Sequence, residues 1–145
     1  IYRLYGSEDS LQKNVLNEYF KFSIKDRLEF ISRTTVKELI MEITSGLITN
    51  KLRPCLFYRS KVEKYKLGSK AKRCIEKIES KIQISYVNLI KDDFKIRNMT
   101  LTTQEALELA DFLINSISTL HILKLNNAPH KILLVFSKKL IKHFT

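Results

Sequence analysis

The sequence has few of the residues from which catalytic and cofactor sites are most easily recognised. Its 145 residues include only 3 glycines, too few and too scattered for a phosphate-binding loop or a dinucleotide fingerprint. The three histidines lack metal-ligand spacing, and neither cysteine lies near a histidine in the sequence. Asp92 and Asp93, followed by Lys95, are compatible with a metal-dependent nuclease, but an acidic turn explains them more simply. We therefore expect no metal and no cofactor, and the sequence favours a protein that is not an enzyme.

The chain also has few cysteines and no unbroken apolar run. Cys55 and Cys74 do not make a disulfide framework in a chain of this size, so we expect free buried thiols and an intracellular protein, cytoplasmic or nuclear. The longest apolar stretch, LADFLINSISTLHILKL, is too interrupted to cross a bilayer, and we expect no contact with membranes. The interrupting residues are Asp111, Asn115, His121 and Lys124.

The composition that remains is that of an ordinary globular protein. Hydrophobic residues make up 44% of the chain and charged residues 28%, which excludes a disordered or collagen-like protein. A chain of 145 residues is long enough to bury one core. We expect a single domain over 1–145, with a weak internal boundary near residue 82.

Positive charge is concentrated in one stretch. The formal net charge is +11, and residues 51–81 alone hold eleven bases and three acids, which is +8 of that total. Such an asymmetry attracts polyanions, of which phosphate backbones are the commonest inside cells. The alternative explanation is a solvated lysine-rich surface that serves solubility.

Five to six helices are predicted from apolar residues at helical spacing and from capping residues. Thr102 and Glu105 have capping-box spacing at the start of a strongly apolar helix over 103–118 or beyond. Another helix is predicted to begin at Ser69, which caps it. Four of its bases lie beside its apolar stripe and within about 80° of one another: Lys70, Arg73, Lys77 and Lys81. The other helices are predicted to begin near Ser7, Ser23, Thr34 or Thr35, and Pro129, the last with a strand at ILLVF as the alternative.

Short strands are predicted between these helices. Pro54 interrupts helical periodicity, and 55–58 is typical of a strand, with a second strand in KVEKYKLG. Ile82, Ile84 and Tyr86 alternate with polar residues, as does FKIRNMTL, which predicts a hairpin that turns at Asp92 and Asp93. The predicted fold class is therefore α+β, mostly helical, with short antiparallel strand pairs.

The middle of the chain resembles a winged-helix domain. The order is a helix with TVKELIMEITSG, then LITNKLR, two strands, and a basic helix, over about residues 35–80. In that family a Tyr-x-Leu segment closes the wing, and Tyr65, Leu67, Gly68 and Ser69 match it. The resemblance implies that Thr49, Asn50, Lys51 and Arg53 face a major groove and that Arg59, Lys61, Lys64 and Lys66 contact phosphates.

Two functions from different classes follow. The first is non-catalytic nucleic-acid binding, with DNA favoured over RNA and a regulatory role implied by the resemblance; its residues are Lys51, Arg53, Arg59, Lys61, Lys64, Lys66, Lys70, Arg73, Lys77 and Lys81. The second is a subunit or adaptor that assembles with a copy of itself or with another chain through the apolar helices of 103–144. Salt dependence separates them, because phosphate binding weakens steeply with salt and an apolar interface does not.

Overall fold

All regular secondary structure in the described part of the chain is helical. The computed structural model describes residues 6–54 and 63–145. In chain order the elements are α1 (Glu8–Tyr19), a π-helical turn (Phe20–Ile24), α2 (Lys25–Ile31), α3 (Val36–Ile48), a 3-10 turn (Lys64–Lys66), α4 (Ser69–Ile96), α5 (Thr103–Leu125) and α6 (His130–Phe144). Because α1, the π-helical turn and α2 are contiguous, they form one helical stretch over 8–31.

Three helices begin where the sequence predicts a side-chain cap. The hydroxyl oxygen of Ser7 accepts a hydrogen bond from the Ser10 amide at 3.1 Å. The hydroxyl of Thr35 accepts in the same way at the start of α3, and that of Thr102 accepts from the Glu105 amide at 3.1 Å at the start of α5. These caps satisfy amides that have no partner within the first turn, so the three predicted starts are confirmed.

Asparagine follows three of the helices in the left-handed conformation that glycine usually adopts, and the first is Asn50 after α3, with φ of 60°. Asn98 follows α4 and Asn127 follows α5, with φ of 59° and 56°. In these last two cases the next amide reaches back to a carbonyl of the last helical turn: Met99 to Phe94 and Ala128 to Leu123, both at 2.9 Å. Asparagine tolerates this left-handed conformation, so the chain ends helices sharply in spite of its few glycines.

The prediction of an α+β fold is wrong, and the largest error is the hairpin. The whole segment from Ile82 to Ile96 is the second half of α4. The alternating pattern requires Ile82, Ile84 and Tyr86 to share one face, yet Ile84 is 63% exposed while Ile82 and Tyr86 are 6% and 1% exposed. Burial instead follows the four-residue spacing of Ile82, Tyr86, Ile90 and Phe94, because a helix can continue the stripe that begins in the basic half.

The winged-helix resemblance is also wrong for the described residues. The stretch predicted as the second strand contains the 3-10 turn at Lys64–Lys66, and ILLVF lies inside α6. The predicted strand at 55–58 lies outside the described residues. Without a strand pair in the described part of the chain, nothing there forms a wing.

A core shared by the helices holds the bundle together. α4 lies between α1 and α5, and α3 packs mainly against α6. The buried cluster runs from Leu16 in α1 to Phe144 in α6, and the boundary expected near residue 82 falls inside α4. The completely buried side chains of α5 include Leu113, Ile117 and Leu120.

α5 is the one described helix that is long and apolar enough to cross a membrane by length and composition. This is weak evidence, because the core helix of a soluble protein meets the same test, and 44% of the most apolar window of α5 is buried inside the bundle. Packing against α4, α3 and α6 gives the apolarity of α5 a structural reason. The expectation of no membrane contact stays a prediction.

Candidate functional site

The start of α4, which carries the bases predicted to bind nucleic acid, is fixed by α1. The two carboxylate oxygens of Asp9 accept hydrogen bonds from the amides of Lys70 and Ala71, each at 3.0 Å. These two bonds are the main reason that the pKa of Asp9 lies below its usual value. A Cβ atom on Gly68 would collide with the Asp9 carboxyl group, so glycine is required for this approach. The prediction that Ser69 caps the helix is therefore wrong: Gly68 is the cap position, and the capping side chain comes from another helix.

Four of the predicted bases do share one edge of α4. Lys70, Arg73, Lys77 and Lys81 are all exposed, and they lie on the side of the helix nearest α1. The Lys70 ammonium donates a hydrogen bond to the Ser10 hydroxyl at 3.1 Å, and the Lys81 ammonium lies 4.7 Å from the centre of the Phe20 ring. Both side chains are thus held toward α1 while their charges face water.

The basic edge is longer than the sequence predicts. Lys91 and Lys95 are exposed in the second half of α4, and at 100° per residue they fall in the same sector as the first four bases. We call these six residues the α4 strip; it spans about 38 Å from Lys70 to Lys95. Lys91 and Lys95 were not grouped with the first four bases because the segment that contains them was predicted to be a hairpin. The signal that would have revealed them is their spacing from the earlier bases: Lys91 follows Lys77 and Lys95 follows Lys81, each by fourteen residues, which is close to four helical turns.

Four other predicted bases, all among the described residues, do not join this strip. Lys64 lies on the opposite flank of α4, with its ammonium 3.5 Å from the Glu76 carboxylate and 3.9 Å from that of Glu79. Lys66 pairs with Glu63 at 3.5 Å.

Two further predicted bases lie after α3. Lys51 lines a groove of about 570 Å³ between α3 and α2, and Arg53 follows two residues later. Arg59 and Lys61 lie outside the described residues. The ten predicted residues are therefore not one surface.

The flank of α4 that faces α5 is acidic. A groove of about 450 Å³ runs between the two helices, and its carboxylates are those of Glu76, Glu79 and Asp111. Asp111 accepts a hydrogen bond from the Gln83 amide nitrogen at 3.0 Å. Among the described residues no group of three or more histidine, cysteine, aspartate or glutamate side chains has the geometry to hold a metal ion. The two flanks of α4 thus carry opposite charge.

Cys74 lies behind the strip as a buried free thiol. Its sulfur contacts the Asn17 side-chain oxygen at 3.1 Å. Burial raises the pKa of the thiol, and the charges of Lys13, Lys77 and Lys81 only partly oppose that effect. The thiol is therefore protonated and unreactive at neutral pH. Cys55 lies outside the described residues.

A second exposed surface, apolar this time, lies on α5 and α6. Phe112 is 43% exposed, and its ring centre lies 4.5 Å from that of His143 and 6.0 Å from that of Phe144. Ile132 and Val135 of α6 are 46% and 43% exposed. These side chains are left open to solvent although α5 and α6 already pack into the core.

His121 is buried beneath this surface. Its side chain is completely inaccessible, and burial, with a smaller contribution from the Arg27 charge, lowers its pKa to about 3. The imidazole is therefore neutral at physiological pH. Such a histidine is part of the packing of α5 and not a general acid or base near neutrality.

Comparisons with models of known protein families, with curated proteins and with solved structures found no match. A function must therefore be argued from the surfaces described above.

Proposed function

We propose that this chain is a self-associating module in which α5 and α6 pack against the same helices of a second copy. The observation that carries the proposal is the exposure of apolar side chains on these two helices. Thirteen large hydrophobic residues are exposed in the described part of the chain, and five of them belong to α5 and α6: Phe112, Leu125, Ile132, Leu134 and Val135. A concentration of this kind is typical of an interaction site.

Two of these five residues, Phe112 and Ile132, lie on one shared face, together with neighbours that are only partly exposed. At 100° per residue, the outward side of α5 includes Phe112, Thr119 and Leu123, and one side of α6 includes Ile132, Phe136 and His143 within about 40°. The contact between the Phe112 and His143 rings shows that these two sides adjoin. We call the six residues the C-terminal face. Leu125, Leu134 and Val135 point to other sides of their helices and do not belong to this face.

The charge order along α5 and α6 favours a second copy as the partner. Glu105 and Glu108 lie at the end where α5 begins, and Lys124 and Lys131 lie at the opposite end, where the chain turns into α6. The exposed Lys139 and Lys142 of α6 lie between these ends, near Phe112. A two-fold axis perpendicular to the helices brings the acidic end of one copy against the basic end of the other. Self-association is thus complementary in charge at the two ends of α5, and Phe112 and Ile132 supply apolar contacts between those ends.

The size of the face sets the expected strength. Helices of 23 and 15 residues are about 34 and 22 Å long, and two of them side by side are about 20 Å wide. Each copy then contributes roughly 600 Å², so that the total is near the lower limit of about 1,200 Å² for a stable interface. We expect a dimer with a dissociation constant of micromolar order.

Analytical ultracentrifugation tests the proposal with a matched pair of variants. Ile132→Asp places a charge on the C-terminal face, and Ile84→Asp places the same charge on exposed α4. Both residues are exposed on helices, so neither variant disturbs the core. We expect the unchanged protein and Ile84→Asp to dimerise equally, and Ile132→Asp to dimerise at least tenfold more weakly because its carboxylate is desolvated in the interface.

A monomeric unchanged protein at 100 μM would contradict the proposal, since the expected dissociation constant is of micromolar order. Equal weakening by the two substitutions would also contradict it, because the effect would then come from added negative charge. Raising the salt concentration should change dimerisation little, as expected for an interface with an apolar centre.

A further inference from the structure

We infer that the α4 strip binds the phosphate backbone of a nucleic acid, at a surface distinct from the C-terminal face. Its six bases are Lys70, Arg73, Lys77, Lys81, Lys91 and Lys95, all exposed. Two of them were not recognised from the sequence. Four of the residues predicted from the sequence are not part of the inference because they lie elsewhere or are paired with acids: Lys51, Arg53, Lys64 and Lys66. Arg59 and Lys61 lie outside the described residues and are also left out.

The strip is almost purely cationic. At 100° per residue the six bases fall within a sector of about 80°. Of the acids of α4, Glu76 and Glu79 face the groove beside α5, and Asp93 lies 3.7 Å from the guanidinium of Arg97. Asp92 is the one acid of α4 that borders the strip, and the Asp9 carboxylate of α1 lies beside Lys70 and Arg73 at its first turn. Positive charges in one sector, with little opposing charge, give a local potential that attracts a polyanion.

The strip is also held rigid along its first half. Asp9 fixes the first turn of α4 through two amides, and Lys70 and Lys81 are positioned by Ser10 and Phe20 of the first helical stretch. Side chains that are already positioned lose less conformational entropy when they bind a ligand. Arg73 and Lys77 lie between these two fixed lysines and point to solvent.

The spacing of the bases fits two phosphate strands. Four bases lie over 70–81 and two over 91–95, and the gap between the groups is about 15 Å along the helix. A duplex major groove is about 12 Å wide, so the two groups can contact phosphates on either side of it. The exposed residues in the gap are Ile84 and Asn88. Two groups of bases separated by this distance favour an extended polyanion over a single phosphate.

A lipid surface fits the strip less well. Insertion into an anionic bilayer requires apolar side chains next to the bases, and Ile84 is the one large exposed hydrophobic residue within the span of the strip. Ile96 and Met99 are also exposed, but they follow the end of the strip, so its first four bases have no exposed apolar neighbour on α4 other than Ile84.

Binding to a labelled 20-base-pair duplex across a salt titration tests the inference. Arg73→Gln, Lys77→Gln and Lys91→Gln together remove three charges from the strip. The matched control, Lys25→Gln, Arg33→Gln and Lys37→Gln, removes three exposed charges from α2, α3 and the turn between them. We expect the strip variant to bind at least tenfold more weakly at low salt and its log-log salt slope to fall by about 2.7, while the control binds as the unchanged protein does.

A second strip variant, Arg73→Lys with Lys77→Arg and Lys91→Arg, keeps the charges and should keep the salt slope. Circular dichroism on each sample shows that the variants are folded. Absence of binding at about 50 mM salt, equal losses in strip and control variants, or tighter binding to vesicles with anionic lipid than to duplex would each overturn the inference. The dimer variant Ile132→Asp should keep the salt slope per chain, so that failure of self-association and failure of nucleic-acid binding are distinguished.

Discussion

The α4 strip and the C-terminal face are both exposed helical surfaces, but they differ in what lies beneath them and in what they expose. The strip exposes six charges and rests on a helix whose first turn is capped by an ionised carboxylate, that of Asp9. The C-terminal face exposes apolar rings and aliphatic side chains and rests on the helix that buries the neutral imidazole of His121. One bundle can therefore present a salt-sensitive surface and a salt-insensitive surface at the same time, and the two should respond differently to acid.

Acidification should have the largest effect on the free energy of unfolding, and this effect should come from His121. Its pKa is about 3 in the folded protein and near 6.5 when unfolded, so only the unfolded chain takes up this proton between those values. The free energy of unfolding is unaffected by His121 above pH 6.5 and should fall by up to about 1.4 kcal/mol for each pH unit below it. Denaturant titrations between pH 7 and pH 4.5 measure this slope.

Replacement of His121 by a side chain that does not titrate isolates its contribution. His121→Leu or His121→Gln should flatten the slope between pH 6.5 and pH 4.5, whatever the change in stability at pH 7. The Asp9 carboxylate should matter only at lower pH: its folded pKa lies below 3.8, so its contribution is complete above that value and is lost as the pH falls through it. A slope that persists in both His121 variants would assign the acid sensitivity to other groups.

The next largest effect on the free energy of unfolding should come from substitution of Gly68, at the start of α4, where the strip begins. Gly68→Ala introduces a methyl group that collides with the Asp9 carboxyl group, and overpacking of this kind costs about 1–3 kcal/mol. Ser69→Ala is the matched control, one residue along. Because Ser69 is not the cap, its replacement should change the free energy of unfolding by less than about 0.5 kcal/mol, whereas loss of a true cap costs about 1 kcal/mol.

The smallest effect should be that of Ile84 on stability. Ile84→Ser should shift the free energy of unfolding by less than about 0.5 kcal/mol, because the side chain is 63% exposed. Ile82→Ser, two residues earlier, should cost several times more because Ile82 is buried. Thermal melts of the two variants decide between the helix and the predicted hairpin, in which both residues face the core.

Features set by neighbouring residues could be predicted from the sequence, and features set by distant residues could not. Thr102 caps α5 through an amide three residues away, and the start of that helix was predicted from the spacing. The cap of α4 comes from Asp9, about sixty residues earlier in the chain, so local spacing pointed to Ser69 instead. Ile82 to Tyr86 is too short to distinguish alternation from helical spacing, and only the packing of α1 and α5 against α4 decides it.

The same distinction holds for the surfaces. Lys70, Arg73, Lys77 and Lys81 were grouped correctly because one helix carries them. Lys64 is near them in sequence, but it pairs with acids on the other flank of α4, and no local pattern shows that.

The cap that Asp9 provides has a consequence for how the molecule opens. Because the amides of Lys70 and Ala71 are bonded to α1 and not to their own helix, they are protected from hydrogen exchange only while α1 is docked. These two amides are therefore direct reporters of the separation of α1 from α4. If that separation occurs without global unfolding, they will exchange faster than the amides of the following turns, and the rate will give the free energy of this opening.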